Sequence, residues 1–511
     1  MYITAKKGAN MSKLQHVKDF LWPVKRTELW KFMPMMLIVG CSIFNYGLFR
    51  SIKDSLVVIE AGPEITPYLK VWAVMPAALI FLIIYTKLSN YFSQKTLFYS
   101  VICFFVSFFL IFMILLYPNK DVLHPSGYSK AVIEALPKWS KGFVLMYKFW
   151  MFSLFYIMAE LWGSVVLSFL FWNFANSLTT VSEAKRFYTH FYLLGNVANI
   201  GAGTVIRYFV KNAQHWAPNT EKWQAAMNGL LILSIILCFV MAIAYYYINR
   251  TISLDPILME KMKDIPVKKS KVKLSMLDSF KFLFKSKYLA LMAVLVMGYG
   301  ISINLVEVAW KNQAFIYYGN KSEFSDLIGR ISVWTGYATI LAILFGGGII
   351  RKFGWKVAAL ATPIVLGLTS VVFFSCILFP KEFNALAYSF GLDTKVTAVA
   401  IAVWVGFAQN VLSKSIKYAL FDPTKEMAYI PLDPESRSKG KAAVDVVGAR
   451  LGKSGGSLIQ MGLFSAGCTL STVGPYSAGI SLVVILIWIF AVCELDKCFK
   501  QASSKNDQST D

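Results

Sequence analysis

Long runs of apolar residues, separated by shorter polar stretches, recur along the whole chain. They lie near 32–49, 68–88, 98–117, 144–173, 187–210, 224–248, 288–309, 328–350, 356–379, 395–413, 444–467 and 475–495. Most of them are long enough to cross a bilayer core of about 30 Å as a helix, which needs roughly 20 residues. Because a chain in lipid must satisfy its backbone hydrogen bonds internally, the pattern predicts an all-α integral membrane protein with twelve transmembrane helices.

The composition agrees with this prediction. Of the 511 residues, 57% are hydrophobic and the mean hydropathy is +0.55, which exceeds what a soluble protein needs to fill its core. The eleventh run is the weakest, since it contains Asp445, Arg450, Lys453 and several glycines. Leaving it out would place the basic carboxyl-terminal tail on the opposite side of the membrane from the other basic segments.

Lysine and arginine accumulate in three places: before the first run, between the sixth and seventh runs, and after the last run. Short flanking segments rich in these residues stay cytoplasmic, so both termini and the central linker are predicted to be cytoplasmic. The net charge of +23 is then mainly a topology signal. A patch for nucleic acid or anionic lipid is the rival explanation of such clusters. We expect the bilayer, and no nucleic acid, as a partner.

The central basic segment divides the chain into two similar parts. We predict a cytoplasmic amino-terminal segment (1–31), a six-helix bundle (32–249), a cytoplasmic linker (250–287), a second six-helix bundle (288–496) and a cytoplasmic tail (497–511). Each bundle has a charged stretch, 182–186 or 435–439, that precedes a run of small residues at nearly the same spacing. This layout is that of major-facilitator-like transporters, which enclose a site between two bundles.

We expect no secretory signal peptide, since the first apolar run is long and follows about thirty polar residues, and no transit peptide, since this stretch has acidic residues and little serine or arginine. The cysteines show no CxxC spacing and the four histidines are scattered. We therefore expect neither a cofactor nor a metal site.

Several charges lie within the apolar runs. Lys70, Glu160, Glu307, Arg450 and Lys453 are the clearest cases, and a charge at membrane depth costs several kcal/mol unless it meets a partner or a watery cavity. The two glutamates are too short to reach the interface, so they either pair with cations or carry protons. Arg450 and Lys453 are three residues apart and share one helix face, which suits binding of phosphate.

Further candidates lie near the predicted helix ends. Arg50 and Lys53 follow the first run, Lys414 follows the tenth, and Lys311 lies one turn after Glu307. Their side chains either reach out to the interface or join the same site. Asn304 is one of the polar side chains that could contact a substrate. The excess of cations over carboxylates favours an anionic substrate.

The sequence resembles the ATP/ADP translocase, or nucleotide transporter, family of obligate intracellular bacteria and plastids over nearly its whole length. The segments that carry the resemblance include Arg50-Ser51-Ile52-Lys53-Asp54, Tyr68-Leu69-Lys70-Val71-Trp72, Met158-Ala159-Glu160-Leu161-Trp162-Gly163, Ile303-Asn304-Leu305-Val306-Glu307, Gln409-Asn410-Val411-Leu412-Ser413-Lys414 and Gly452-Lys453-Ser454-Gly455-Gly456. Together these segments are highly specific.

The resemblance implies a monomeric nucleotide antiporter, not an enzyme, in the inner membrane of a bacterium. It implies exchange of ATP for ADP, although paralogues of the family carry other nucleotides such as GTP, CTP or UTP. The family's important charges fall on Lys70, Glu160, Glu307 and Lys453. We expect the two lysines, assisted by Arg450, to bind phosphates and the glutamates to pair with these cations in the empty site.

Three alternatives stay open at this point. The chain could carry nucleotides with coupling to protons, it could be a proton-linked carrier of a smaller anion, or it could be a membrane-embedded phosphotransferase. The stretch around Lys453 is similar to the phosphate-binding loop GxxxxGK[ST], but Gly448 is one residue too close to it.

Overall fold

In the computed structural model, residues 24–128, 130–255, 286–389, 397–432, 440–441, 444 and 448–508 are described. All regular elements within these ranges are helical. The start of the basic amino-terminal segment, residues 256–285 of the basic linker and Asp445 lie outside the described part. Apolar side chains cover much of the surface of the long helices, as expected of helices that face lipid.

The long helices follow one another along the chain. They are α1 (Arg26–Glu60), α2 (Ile65–Tyr91), α3 (Gln94–Leu116), α4 (Trp150–Leu178), α5 (Val181–Trp216), α6 (Lys222–Leu254) and α7 (Lys287–Tyr318), then a bent element (Lys321–Leu378), α10 (Ala398–Ala428), α11 (Ala449–Ser465) and α12 (Val473–Gln508). The bent element breaks at Gly354, whose φ of 80° and ψ of 175° are not helical, and so provides α8 (321–353) and α9 (355–378). A φ of this size favours glycine because it has no Cβ. Longer connections follow α3, α6 and α9.

Nine helices of the described part are long and apolar enough to cross a membrane, with Lys321–Leu378 counted as one. Helices α5 and α11 are not among the nine. Helix α5 has 36 residues but contains several charges, and α11 has only 17 described residues. The observed architecture is therefore an all-helical membrane protein.

The core consists of several clusters rather than one. The largest joins side chains from Val24 to Ile248, so helices α1 to α6 share it. A second cluster joins side chains from Tyr288 to Leu495, mainly in helices α7, α9, α10 and α12. The amino-terminal helices (α1–α6) and the carboxyl-terminal helices (α7–α12) thus each have an apolar core, and two smaller clusters join the groups through Val58 of α1 and Tyr68 of α2.

The two groups of helices meet at close backbone contacts. At the crossing of α5 and α8, a Cβ added to Gly203 would lie 2.4 Å from the carbonyl oxygen of Gly329. Helix α11 packs against the start of α2 in a second contact between the groups. Small residues allow such crossings because they let helix axes approach closely.

Two helices extend well beyond the apolar runs that predict them. Helix α1 continues to Glu60 and α10 continues to Ala428, whereas the runs end near 49 and 413. Arg50, Lys53 and Lys414 therefore lie inside helices and not at their ends. The interpretation of these residues as interface cations at helix termini is wrong for this reason.

Candidate anion-binding cavity

A cavity of about 960 Å³ lies between the two groups of helices. Helices α1, α2 and α4 line it on one side, and α7, α10 and α11 line it on the other. It lies at the seam, which is the interface between the amino-terminal and carboxyl-terminal helices, next to the apolar contacts of Val58 and Tyr68 that join the two groups. A volume of this size is typical of sites for whole small molecules.

Cations outnumber carboxylates on the wall of the cavity. Among the described residues, the acidic ones are Glu160, Glu307 and Asp422. The basic ones are Arg50, Lys53, Lys70, Lys311, Lys414, Lys417 and Lys425. The cavity therefore favours a ligand with several negative charges, because such a ligand would compensate the excess positive charge of the lining residues.

Glu307 lies at the centre of the basic residues. Its carboxylate is 3.5 Å from the guanidinium of Arg50 on α1, 3.5 Å from Lys70 Nζ on α2 and 3.5 Å from Lys311 Nζ on its own helix. Lys70 also donates a hydrogen bond of 2.6 Å to Asn304 Oδ1. One carboxylate thus holds three cations, and two of them come from the amino-terminal helices.

A second group of charges is more deeply buried. Asp54 is 1% exposed, and its Oδ1 lies 2.9 Å from Lys53 Nζ and 3.0 Å from Lys311 Nζ. Lys53 also lies 3.1 Å from Glu160 Oε1 and 3.9 Å from the centre of the Tyr156 ring. Shared partners link this group to the one around Glu307, so the seam contains a continuous network of charges.

Lys414 differs from the other basic residues at this level. Its Nζ donates to the amide oxygen of Asn410 at 3.2 Å, and within the described ranges it has no carboxylate within 4.0 Å. Further along α10, Lys417 pairs with Asp422 at 2.7 Å. Lys414 therefore contributes a positive charge to the cavity that the described carboxylates do not neutralise directly.

Most of the side chains that the sequence singles out converge here. Arg50, Lys53, Lys70, Glu160, Asn304, Glu307, Lys311 and Lys414 all line the cavity. The backbone of Arg450 and Lys453 lies in α11, but their side chains are outside the described part. The neighbouring Ser454 lines the cavity.

The pairing differs in part from the expected one. Glu307 contacts Lys70 as expected, and Glu160 contacts Lys53, which was not among the cations expected to pair with it. The sequence reasoning also gave no role to Asp54. The signal that could have found it is helical spacing, because positions 50, 53 and 54 share one face of α1.

Polar contacts between the two groups of helices cluster at one end of the cavity. The hydroxyls of Ser51 and Ser325 are 2.7 Å apart, and Lys321 of α8 pairs with Glu60 of α1. The hydroxyl of Tyr68, at the start of α2, is 3.4 Å from that of Ser465 at the end of α11. The cavity is therefore sealed near Glu307, and it extends away from this end along α2, α4 and α10.

The profile of a family described as TLC ATP/ADP transporter matches residues 7–499. The chain belongs to this transporter family. ADP,ATP carrier protein 1 of Chlamydia pneumoniae is 43% identical, over 96% of this chain and 96% of that protein. ADP,ATP carrier protein 1 of Rickettsia prowazekii is 38% identical, over 97% and 98%. A chloroplastic ADP,ATP carrier protein 1 of Arabidopsis thaliana is 41% identical, over 95% of this chain and 77% of that protein.

Solved structures place this TLC transporter among major-facilitator-like folds. A bacterial homologue of the iron transporter ferroportin, in an inward-facing state, aligns with a TM-score of 0.56 at 12% identity, over 92% of this chain and 99% of that one. The inward open xylose transporter XylE from E. coli aligns with a TM-score of 0.53 at 12% identity, over 91% and 95%. At these identities the likeness concerns the fold alone.

Proposed function

We propose that this transporter exchanges ATP for ADP across the inner membrane of a bacterium by alternating access. The observation that carries the proposal is the convergence of Arg50, Lys70 and Lys311 on Glu307 at the sealed end of a cavity rich in cations. The names of the relatives support the choice of nucleotides, since carriers of bacteria and plastids that bear the name ADP,ATP carrier are about 40% identical over nearly the whole chain.

The membrane topology belongs to the same proposal. Helices α1 to α12 form twelve spans in two six-helix halves, 32–249 and 288–496. The basic segments 1–31, 250–287 and 497–511 are cytoplasmic, since lysine and arginine are retained on that side. The end of α1 and the start of α2 then face the outside, so the sealed end is external and the cavity opens to the cytoplasm. The transporter acts as a monomer.

Competition between substrate and Glu307 couples binding to movement. A nucleotide with three or four negative charges offers phosphate oxygens to Arg50, Lys70 and Lys311, and hydrogen bonds between charged groups are stronger than neutral ones. Glu307 then loses cations that connect α1 and α2 to α7, which loosens the external seal. After release, Glu307 pairs again with these cations and Glu160 with Lys53.

Lys453 and Arg450 are part of this proposal. Both lie on α11, one and four residues from Ser454, which lines the cavity. We assign them to the phosphates from the carboxyl-terminal side, opposite Lys70. Lys453→Ala is expected to abolish exchange in vesicles that contain normal amounts of folded protein, and undiminished uptake would contradict the assignment.

The test of the function is uptake of labelled ATP into proteoliposomes. Vesicles preloaded with unlabelled ADP are expected to take up intact ATP many times faster than empty vesicles. The reason is that the carrier reorients most easily when a nucleotide is bound to its cation-rich site. Lys70→Ala is the matched loss-of-function variant. Equal uptake by loaded and empty vesicles would overturn the exchange mechanism.

The same assay separates the alternatives. Preference for GTP, CTP or UTP over ATP would identify a carrier of other nucleotides, and uptake only under a pH gradient would identify coupling to protons through Glu160 or Glu307. Conversion of the nucleotide would identify an enzyme. Lack of uptake of any nucleotide, together with uptake of a smaller anion, would overturn the proposed substrate class.

A further inference from the structure

Along α2 and α4, the residues that line the cavity change from charged to uncharged. On α2, Lys70 near the sealed end is followed by lining residues that are all apolar or aromatic, up to Phe81 and Tyr85. On α4, Glu160 is followed by Ser164, Val165, Ser168 and Phe169. Beyond their first charge, the described lining residues of both helices are uncharged.

The opposite wall does not show this change. Helix α10 presents Lys414, Lys417, Asp422 and Lys425 along the cavity. The α10 wall is therefore charged along the cavity, whereas the α2 and α4 wall becomes uncharged and aromatic. A nucleotide has the same division, with an anionic phosphate chain at one end and a flat, uncharged base at the other.

Tyr85 and Phe169 form the aromatic part of the uncharged wall. Their rings meet edge to face with centroids 4.8 Å apart and planes at 89°, and Phe81 lies 6.4 Å from Tyr85. Both rings line the cavity and are half-buried, so each has surface available to a guest. The hydroxyl of Tyr85 makes no hydrogen bond to the part of the chain that the structure describes.

Two serine hydroxyls lie on the same wall. Ser164 donates to the carbonyl oxygen of Glu160 at 3.2 Å, and Ser168 donates to that of Gly163 at 2.9 Å. Both side chains are exposed to the cavity, and their oxygens keep lone pairs that can accept hydrogen bonds. Such acceptors match the exocyclic amino group of a base such as adenine.

A second aromatic pair in the cavity has a different role. Tyr299 and Phe421 stack at 5.7 Å, but Phe421 is only 4% exposed and both rings pack against Trp488 in the carboxyl-terminal core. Lys417 lies over the Tyr299 ring at 5.6 Å. This pair is already occupied by protein contacts, whereas Tyr85 and Phe169 present free ring surface.

We propose that Tyr85, Phe169 and Ser168 form the subsite for the nucleobase, an inference that rests on the proposed function. The ring of the base stacks on Phe169 or Tyr85, and Ser168 accepts a hydrogen bond from its amino group. Glu160 and Phe169 are nine positions apart on α4, which is π-helical from Trp162 to Phe171, so they lie at different levels of the cavity. This arrangement matches phosphates near Glu307 and a base at the aromatic wall.

The experiment compares ATP with inorganic tripolyphosphate, which has the phosphates but no base. In proteoliposomes, Phe169→Ala is expected to raise the KM for ATP about tenfold, since stacking of a base on an aromatic ring contributes this much or more. The inhibition of ATP exchange by tripolyphosphate should keep its wild-type constant. In Lys70→Ala, in contrast, direct binding of labelled ATP and its displacement by tripolyphosphate should both weaken.

Four further variants make the result specific. Phe169→Leu keeps an apolar side chain without a ring and should behave like Phe169→Ala, and Tyr85→Phe keeps the ring and should raise the KM less than Tyr85→Ala. Phe239→Ala, on the lipid-exposed face of α6, is the control and should leave the KM unchanged.

The outcomes that overturn the subsite differ from those that overturn the function. A KM for ATP within twofold of wild type in Phe169→Ala, or an equal rise in the KM for ATP and in the inhibition constant of tripolyphosphate, overturns the subsite alone. Wild-type protein that exchanges no nucleotide overturns the proposed function, and the subsite with it.

Discussion

At the scale of single residues, Asp54 is a buried carboxylate that contacts two buried lysines. It is 1% exposed and lies within 3.0 Å of two lysines, Lys53 on its own helix and Lys311 on α7. Its second oxygen, Oδ2, is buried without a hydrogen bond from the described residues. Both lysines are also almost fully buried, so the Asp54 carboxylate compensates the charge of two cations in the seam.

We predict that Asp54→Asn destabilises the protein. The substitution keeps the shape of the side chain but removes the carboxylate that two buried lysines share, and breaking a buried ion pair costs about 3–5 kcal/mol. Thermal unfolding in detergent is expected to show a clearly lower melting temperature. Glu221→Gln is the control, because Glu221 is 49% exposed and pairs with Lys120 at 3.5 Å, so its loss should cost less than about 1 kcal/mol. Equal effects of the two variants would contradict the role of Asp54.

Which residues belong to the site could be predicted because charges are costly at membrane depth. Lys70, Glu160 and Glu307 stand out on this ground alone, and each lines the cavity. The contact between Lys70 and Glu307 was expected, but the partner of Glu160 could not be predicted. The contact of Lys53 with Glu160 joins helices about a hundred positions apart, and spacing along one helix contains no information about such a contact.

At the scale of helices, the position of α11 depends on α7. A Cβ added to Gly300 of α7 would lie 2.6 Å from the carbonyl carbon of Gly452, and a Cβ added to Gly456 would lie 2.8 Å from Cβ of Asn304. Gln460 of α11 also donates to the carbonyl oxygen of Asn304 at 3.3 Å. The small residues therefore place α11 directly beside the helix that holds Glu307.

We predict that Gly300→Ala lowers both the melting temperature and the exchange rate. The new methyl group meets backbone atoms of Gly452, which can move only if α11 moves. Gly347→Ala is the matched control, since a Cβ at Gly347 meets nothing within 4 Å and alanine favours a helix over glycine by about 1 kcal/mol. If Gly300→Ala were as stable and active as Gly347→Ala, the close contact would have no importance.

Hydropathy predicts the existence of the helices better than their ends. The break between the runs 328–350 and 356–379 is confirmed by the non-helical Gly354. The ends of α1 and α10 were missed because charges at Arg50, Lys53 and Lys414 lower the hydropathy while the helix continues. In a transporter, residues that face a watery cavity interrupt the apolar pattern without interrupting the backbone.

At the scale of the whole molecule, the sealed end depends on contacts between the two groups of helices. Ser51 of α1 and Ser325 of α8 are fully buried there with their hydroxyl oxygens 2.7 Å apart. On α5, Arg207 pairs with Asp326 of α8 at 3.1 Å. Alternating access requires all these contacts to separate when the cavity opens on the other side.

We predict that a disulfide between Ser51→Cys and Ser325→Cys stops transport. Side-chain atoms this close allow a disulfide to form, and the bond would keep the sealed end closed. In a background without the natural cysteines, oxidation should abolish ATP uptake and a reductant should restore it. Ser325→Cys alone is the control and should respond to neither treatment. Transport that continues in the cross-linked protein would show that this end need not open.

The seal near Glu307 also determines where the membrane potential acts. Water fills the open part of the cavity, so the electrical potential there is close to that of the solution on the open side. Most of the voltage drop therefore falls across the sealed end near Glu307, which forms a thin layer. Arg50, Lys53, Lys70 and Lys311 lie where the cavity meets that layer, and Asp54 is buried beside Lys53 and Lys311. One elementary charge that crosses 100 mV gains or loses about 2.3 kcal/mol. Reorientation of the empty carrier, with its uncompensated cations, is therefore a step that voltage can drive or oppose.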